Sequence, residues 1–419
     1  MHTSQLLRGS SRSLLAALAL VATTACAPAR QAPPGAEEEA ADPAVLRIAL
    51  FNVRELTSEK LARVDPQSRG ADEQLRAAAE IVRRIDPDVL VLQEIDLPET
   101  GPLEAARLEV NAVRFRDAWL DLPYPHVFVA PSNTGVLTGL DLDRNGIAAN
   151  EARRGQREHG DDSFGFGLYP GQYAMAVLSR FPIDRGAART FQRFRWRDLP
   201  GNHLPTEFYS EEAVEILRLS SKSHWDLPLR IPAGGGEGGE RVVHLLVSHP
   251  TPPVFDGDED RNGRRNFDEI GFWAAYLDGE PSLYDDQGRT GGLDPGASFV
   301  IAGDLNARPD DEPLYRVRSG EPTTAIGQLL ERDDVQDPGA VLSSRGALAG
   351  REPGPPAHKE RSTAEFLDGA RVDYLLPSRD LEVVDGGVFW PSPEESAEGA
   401  RLAELASDHR LVWLDLRIP

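Results

Sequence analysis

Six short apolar runs in this chain each carry, at one end, residues able to hold a cation, move a proton or grip an oxyanion. They are LRIALFNVREL with Asn52, DVLVLQEID with Glu94, VVHLLVSHP with His249, FVIAGDLNARPDD with Asp304 and Asn306, RVDYLLPS with Asp373, and ASDHRLVWLDL with Asp408 and His409. One chemistry uses all of these types, the metal-assisted cleavage of a phosphoester. Such a bond needs its charge neutralised, a water placed in line with it and its leaving oxygen stabilised. A hard divalent cation on oxygen ligands, magnesium or manganese, supplies the first and third.

Glu94, directly after VLVLQ, is the carboxylate placed to hold that cation, and Asn52 at the tip of RIALF adds a neutral oxygen. Taken singly, a glutamate at a strand end is a solvated edge charge. FVIAG delivers Asp304 and Asn306 at a spacing of two, which on a strand puts both side chains on one face. Asp304 can then orient and deprotonate a water while Asn306 hydrogen-bonds around the phosphate. An Asx-turn closing a hairpin accounts for the same pair without chemistry. His409 acts on the phosphate once a second carboxylate fixes its tautomer, and Asp373 is the candidate. His249 is placed to protonate the leaving group or to bind the non-bridging oxygens. The other histidines read as surface or core residues.

The elements that must position these groups are short and β-branched. Val45 to Phe51, Val89 to Leu92, Ala174 to Leu178, Val242 to Val247, Phe299 to Ala302, Val372 to Leu376 and Leu411 to Leu416 read as strands. Between the first two, Ala71 to Ile85 places Leu75, Ala78, Ala79, Val82 and Ile85 at helical spacing and stops before Pro87. Elsewhere the chain is rich in connections, with 38 glycines and 33 prolines and tracts such as Ala233 to Gly239 and Gly346 to Pro356.

In this order the motifs resemble the endonuclease/exonuclease/phosphatase superfamily, whose members include deoxyribonucleases, abasic-site endonucleases, inositol-polyphosphate phosphatases and neutral sphingomyelinases. The resemblance runs from about Leu46 to the C-terminus, with GDLN followed by VDY and SDH as its most specific part. It implies an α/β (α+β) fold, a four-layer αββα sandwich of two packed, mostly antiparallel sheets, over residues 45–419. It implies Asn52, Glu94 and Asp408 on the metal side, His249 and His409 as the two catalytic histidines, and Asp304 with Asn306 as the water-activating and phosphate-orienting pair. Asp373 falls at the histidine-orienting acid, and GQYAMAVLSRFPI at a central strand that is structural apart from Tyr173. The chain departs from the pattern where PTPPVFDG follows His249 and where Arg410 follows SDH.

Two acidic stretches stand apart. Asp258, Asp260, Asn262, Gly263 and Glu269 match the spacing of a calcium loop, but the preceding HPTPP forbids an entering helix. That stretch is read as a loop on the cleft rim, with Arg261, Asn262, Arg265 and Asn266 facing the substrate phosphate. Asp141, Asp143 and Asn145 repeat the first half of the pattern and are the candidate for a peripheral, structural calcium.

Arg8 and Arg12 followed by the apolar Leu14 to Ala22 form an export signal, too short to span a bilayer. Cys26, the only cysteine, stands where a lipoprotein signal places its lipidated residue, so residues 1–26 are read as a signal of that type and 27–44 as a Pro/Ala/Glu-rich tether. The expected location is extracytoplasmic, as a membrane-anchored lipoprotein or otherwise secreted. A lone cysteine leaves no internal disulfide.

The formal net charge of −23 repels polyanions at long range, which disfavours a tight duplex binder unless cations fill the cleft. Basic residues are almost all arginine, with Lys60, Lys222 and Lys359 the only lysines. The expected function is an exported, divalent-metal-dependent phosphoester hydrolase acting on a small molecule, lipid headgroup or nucleic acid, with the membrane met only through a lipid anchor and no protein partner implied. An extracellular nuclease is the alternative within the class, and a non-catalytic calcium-dependent surface-binding protein the alternative outside it.

Overall fold

A strand buried on both faces has to place every second residue in each of two cores, and that requirement organises this molecule. The computed structural model describes residues 45–65, 70–98, 108–232, 239–348, 359–366 and 369–419. The signal, the tether and Cys26 lie outside the described residues.

In chain order the strands are β1 (Val45–Leu56), β2 (Val89–Ile95), β3 (His126–Phe128), β4 (Ala174–Ser179), β5 (Arg189–Thr190), β6 (His224–Pro232) and β7 (Glu240–Ser248). They continue with β8 (Ser298–Asp304), β9 (Tyr315–Arg316), β10 (Pro322–Thr323), β11 (Asp373–Pro377), β12 (Glu382–Val388) and β13 (Val412–Arg417). One sheet has the order β12-β13-β1-β2-β4-β3 and the other β11-β8-β7-β6-β5, with β9 and β10 forming a separate two-residue ladder. Among the described strands only β1 with β2 and β7 with β8 run parallel; every other neighbouring pair is antiparallel.

Three apolar cores separate four layers, so the molecule is the αββα sandwich. Leu46, Ile48 and Leu50 of β1 meet Leu245 and Val247 of β7 and Val300 and Ala302 of β8 between the sheets. The alternate residues Ala49 and Phe51 of β1 pack outward onto Leu75, Ala78 and Val82 of the helix Glu73–Ile85 and Leu402 of the helix Ala397–Ala406. On the other side Leu246, Phe299 and Ile301 pack onto Ile270, Phe272, Trp273 and Tyr276 of the helix Arg261–Leu277.

Local signals explain where elements stop. Asp72 caps the first of these helices by accepting the Leu75 N–H at 3.2 Å, and Asp86 ends it in the left-handed region at φ 50°, just before Pro87. β6 escapes the sequence pattern because it contains Pro228. The Pro228 carbonyl accepts from Asp184, on the side away from β7, so the missing proline N–H also faces away and costs no rung with β7. β12 is exposed, and Gly386 and Gly387 dilute its pattern.

Residues 261–269 are corrected by the structure. They are the opening turns of the 17-residue helix Arg261–Leu277 and not a rim loop. The prolines of HPTPP sit several residues upstream, where they leave the helical hydrogen bonds intact, and Asp256 accepts the Asn262 N–H at 2.6 Å to start the helix.

Candidate functional site

The row of residues facing the neighbouring sheet is apolar along each central strand until its last member. Asn52 follows Leu50, Gln93 follows Val91, His249 follows Val247, Asp304 follows Ala302, and Asp373 precedes Leu375 in this row. These polar residues cap the inter-sheet core at one end. Topology puts them there together, because β1 and β2 run parallel, as do β7 and β8, while β13 opposes β1 and β11 opposes β8. The starts of β11 and β13 therefore meet the ends of the other four strands, and Asp373 pairs directly with Asp304.

Gln93 joins the sheets beneath this cap. It is fully buried, accepts the Asp304 N–H at 2.7 Å and donates to the Ser248 carbonyl at 2.8 Å. Both ends of its amide are thus satisfied in a dry interior.

Glu94 does not follow strand alternation, which would turn it toward the helices with Leu90 and Leu92. The ladders on both sides of β2 shift register here, and Glu94 sits at φ 63°. A non-glycine residue in the left-handed region within a bulge redirects its side chain, and such outliers cluster at working sites. Asn306 is a second case at φ 51°. β8 ends at Asp304, so the spacing of two is not what brings Asn306 to the site; the Asn306 N–H closes an Asx-turn on Asp304 Oδ1 at 3.0 Å, and its Nδ2 donates to the Pro250 carbonyl at 3.1 Å.

Asp304 is the hub. Its Oδ2 accepts from Asn52 Nδ2 at 3.1 Å and faces His249 Nε2 at 3.5 Å and His409 Nε2 at 3.6 Å. Burial, above all, pushes the Asp304 carboxyl up to about 7, with His409 opposing and Asp373 adding to the rise. His409 Nδ1 donates to Asp373 Oδ2 at 2.9 Å, and Asp373 accepts a further bond from Thr363 Oγ1 at 2.7 Å. Burial works against the His409 cation, but Asp373 first and then Asp304 override it and raise the imidazole to about 10. For His249 burial prevails, helped by Lys222 and His409, and the ring is held well below 6.5. Its Nδ1 has no hydrogen-bond partner among the described residues.

On the metal side, Glu94 Oε1 lies 3.3 Å from Asn52 Nδ2, while Glu94 Oε2 accepts the Glu55 N–H at 3.2 Å. The Asn52 amide turns its nitrogen to the two carboxylates and its Oδ1 to the Arg54 N–H at 3.0 Å. Asp408 stands at the cleft edge with Arg54 Nε 4.0 Å away, tied to Asn52 through Ser407, whose Oγ donates to the Asn52 carbonyl at 2.8 Å. Glu94 and Asp408 offer carboxylate oxygens on this side, the ligand type that suits a hard divalent cation, while the Asn52 oxygen faces the Arg54 N–H. Asp304, Asp373 and His409 also bring ligand atoms within 4.8 Å of one another, close enough to hold an ion.

The four residues expected to face substrate phosphate have their side chains engaged within the protein. Arg265 donates to the carbonyls of Leu219, Phe164 and Arg218, and Asn266 to those of Thr251 and Leu305. Asn262 donates to the Val254 carbonyl at 2.6 Å, and Arg261 pairs with Glu259 over the Phe208 ring. Helix formation turns these side chains toward loops they brace. Asp141 and Asp143 gather with Asp162, which the sequence did not single out, while Asn145 donates from Nδ2 to Asp143 at 3.0 Å. Tyr173, at φ 57°, donates to Glu55 Oε1 at 3.3 Å.

Sequence reasoning passed over Gln93, Thr363, Ser407 and Lys222. Gln93 carried a signal, since it shares the inward row of β2 with Val89 and Val91; Thr363 lies in an irregular segment and had none.

The model of the Endonuclease/Exonuclease/phosphatase family matches residues 49–409. A search of curated proteins gave no match. Solved structures to which the chain is similar include an endonuclease/exonuclease/phosphatase from Beutenbergia cavernae DSM 12333, at 18% identity over 89% of this chain and 72% of that one, TM-score 0.45. A mannosyl-6-phosphatase from Bacteroides thetaiotaomicron VPI-5482 is similar at 12% identity over 89% and 100%, TM-score 0.41. TDP2 from Caenorhabditis elegans is similar at 14% identity over 89% and 74%, TM-score 0.39.

Proposed function

The chain belongs to the Endonuclease/Exonuclease/phosphatase family, and from that premise we propose that it is an exported phosphoester hydrolase that cleaves by attack of water at phosphorus with a divalent ion, magnesium or manganese, as cofactor. The observation that carries this reading is the Asp304 carboxylate held 3.1 Å from Asn52 and 3.5 to 3.6 Å from two buried histidines, one of them fixed by Asp373. When bound by Glu94, Asn52 and Asp408, the ion supplies charge neutralisation at the phosphate and at the leaving oxygen.

The protein's own groups do the rest. Asp304, ionised above about 7, accepts the proton of the attacking water. His409, charged below about 10 and locked in one tautomer by Asp373, stabilises the anion that develops at phosphorus. His249, neutral at pH 7, donates one N–H to a non-bridging oxygen, a role that its lowered basicity favours over protonating the leaving group. Asn306 orients the phosphate. Glu94 sits at the focus of a bulge whose strain is spent on aiming it.

A panel of plasmid DNA, RNA, sphingomyelin, inositol phosphates and bis-p-nitrophenyl phosphate, each with and without magnesium, tests the reading. Metal-dependent release from at least one substrate is expected, abolished in Asp304→Ala. Equal activity of wild type and Asp304→Ala, or none on any substrate, would refute it.

For location, residues 1–26 are proposed as a lipoprotein signal, Cys26 as the lipidated residue and 27–44 as the tether to residues 45–419. Membrane fractionation and labelling with a palmitate analogue, both lost in Cys26→Ser, are the expected results; soluble unlabelled wild type would retire the anchor. A structural calcium at Asp141, Asp143 and Asn145 is proposed with it, and unchanged thermal stability on adding calcium to chelated protein would exclude that ion.

A further inference from the structure

We propose that the cavity bordered by the helix Arg261–Leu277, the loop 199–203 and the β9–β10 hairpin is a second ligand site, which takes a small organic anion, a carboxylate on an apolar body, held by His203 and Arg316. It stands apart from the phosphoester site. On the helix, Asn266 donates to the Leu305 carbonyl, next to Asp304. Asp268, two residues on, lies about 200° further around the axis at 3.6 residues per turn and meets Trp196 and His203 instead. The cavity has a volume of about 440 Å³, ordinary for a small-molecule site. Leu199, Pro200, Gly271, Ala274, Ala275 and Pro281 give it an apolar lining that an apolar body fits.

The Asp268 carboxylate is buried and satisfied by N–H donors alone. Its Oδ2 accepts from the Trp196 indole at 2.5 Å and from the His203 backbone at 2.6 Å, and its Oδ1 accepts from His203 Nδ1 at 2.7 Å. The imidazole packs against Phe267 and Tyr315, with ring centroids 5.0 and 5.2 Å away. It is thus fixed in position and in tautomer. Its Nε2 has no hydrogen-bond partner among the described residues, and the ring, its side chain 22% exposed, lines the cavity. With Nδ1–H held by the carboxylate, the second proton of the charged ring sits on Nε2, where an entering anion accepts it. The acids of the lining are already neutralised: Arg318 binds Glu280 and Arg332 binds Asp278, each at 2.9 Å. Arg316 differs from them. Among the described residues no carboxylate pairs with its guanidinium, and only Nη1 is engaged, on the Gly320 carbonyl at 2.7 Å. One arginine and one oriented imidazole are therefore left over, a local positive excess in a chain of net charge −23, and such an excess selects an anion.

The alternative is an Asp–His pair that only pins the loop 199–203 to the helix. Benzoate and hexanoate, one flat and one flexible, are titrated calorimetrically into the full-length protein, with benzamide as the neutral counterpart of benzoate. Saturable binding of at least one carboxylate and none of benzamide is expected. Its dissociation constant should rise about 10- to 100-fold in Arg316→Gln and in His203→Gln, as for loss of a hydrogen bond to a charged group. Arg316 is exposed and donates only to the Gly320 carbonyl among the described residues, so Arg316→Gln should keep the melting temperature of the wild type and its turnover on the best substrate of the panel. If His203→Gln fails to fold, Arg316→Gln decides. No saturable binding of either carboxylate, equal binding of benzamide, or wild-type affinity in Arg316→Gln would overturn the inference. Carboxylate binding that inorganic phosphate displaces and that Arg316→Gln leaves unchanged would place the anion in the phosphoester site and overturn it as well.

Discussion

Gln93→Leu should both loosen the sandwich and misplace Asp304. The side chain is fully buried and makes two backbone bonds across the sheets, accepting from Asp304 N–H at 2.7 Å and donating to Ser248 carbonyl at 2.8 Å. Leucine of similar volume leaves both groups buried without a partner. Each costs about 1–3 kcal/mol, so the expected loss is about 2–6 kcal/mol, reduced somewhat by the more apolar side chain. For a domain of ordinary stability, about 5–15 kcal/mol, that is a large fraction. Urea unfolding followed by circular dichroism measures it, with an unchanged slope showing that stability and not the unfolded state has moved. Gln93→Glu keeps the acceptor for Asp304 while setting an oxygen against Ser248, so it should also destabilise. A loss below about 1 kcal/mol in Gln93→Leu would mean that groups other than Gln93 hold the sheets together at this end, and its bridging role would be refuted.

Asp373→Asn should leave the fold intact and lower kcat by about 10²–10⁴-fold, because the amide can stabilise the wrong tautomer of His409 and no longer supports its charge; near wild-type turnover would release Asp373 from that role. Glu94→Gln should raise the magnesium concentration for half-maximal rate, since it removes charge from an oxygen ligand while keeping shape, and an unchanged titration would place the ion elsewhere. Activity should climb with pH through about 7 as Asp304 ionises and fall again near 10 as His409 loses its proton, the acid limb moving lower as metal saturates the site. Stability of the metal-free protein should move the opposite way at the acid end. Both groups hold their protons more tightly folded than unfolded, so Asp304's contribution is present below its ordinary 3.8 and lost as pH rises through about 7, and His409's is present below 6.5 and lost through about 10. A melting temperature that rises steadily across this window in wild type but not in His409→Asn would contradict the sign.

How far the sequence reached depends on which interactions are local. The central strands were legible because a row of apolar residues repeating every second position has one stable use, and the polar residue closing each row marked the site: Asn52, His249, Asp304 and Asp373 were found this way. The amphipathic helix Glu73–Ile85 announced itself by the helical spacing of Leu75, Ala78, Ala79, Val82 and Ile85 and by Pro87, while its cap at Asp72 was supplied by the structure. Other features needed contacts between distant segments. β6 hides a proline whose missing N–H is harmless only because of which side faces β7. The turn at Asn306 and the bulge at Glu94 replace strand alternation with left-handed backbone, so spacing alone misjudged how they reach the cleft. Arg265 and Asn266 carried the chemistry of phosphate ligands, but a helix turned them onto the carbonyls of neighbouring loops. The residue types and the ends of the strands were decided by local pattern. Which atoms of those residues meet, Gln93 bridging the sheets and Thr363 behind Asp373, was decided by packing two sheets face to face, since only then do groups far apart in the chain compete for the same buried hydrogen bonds.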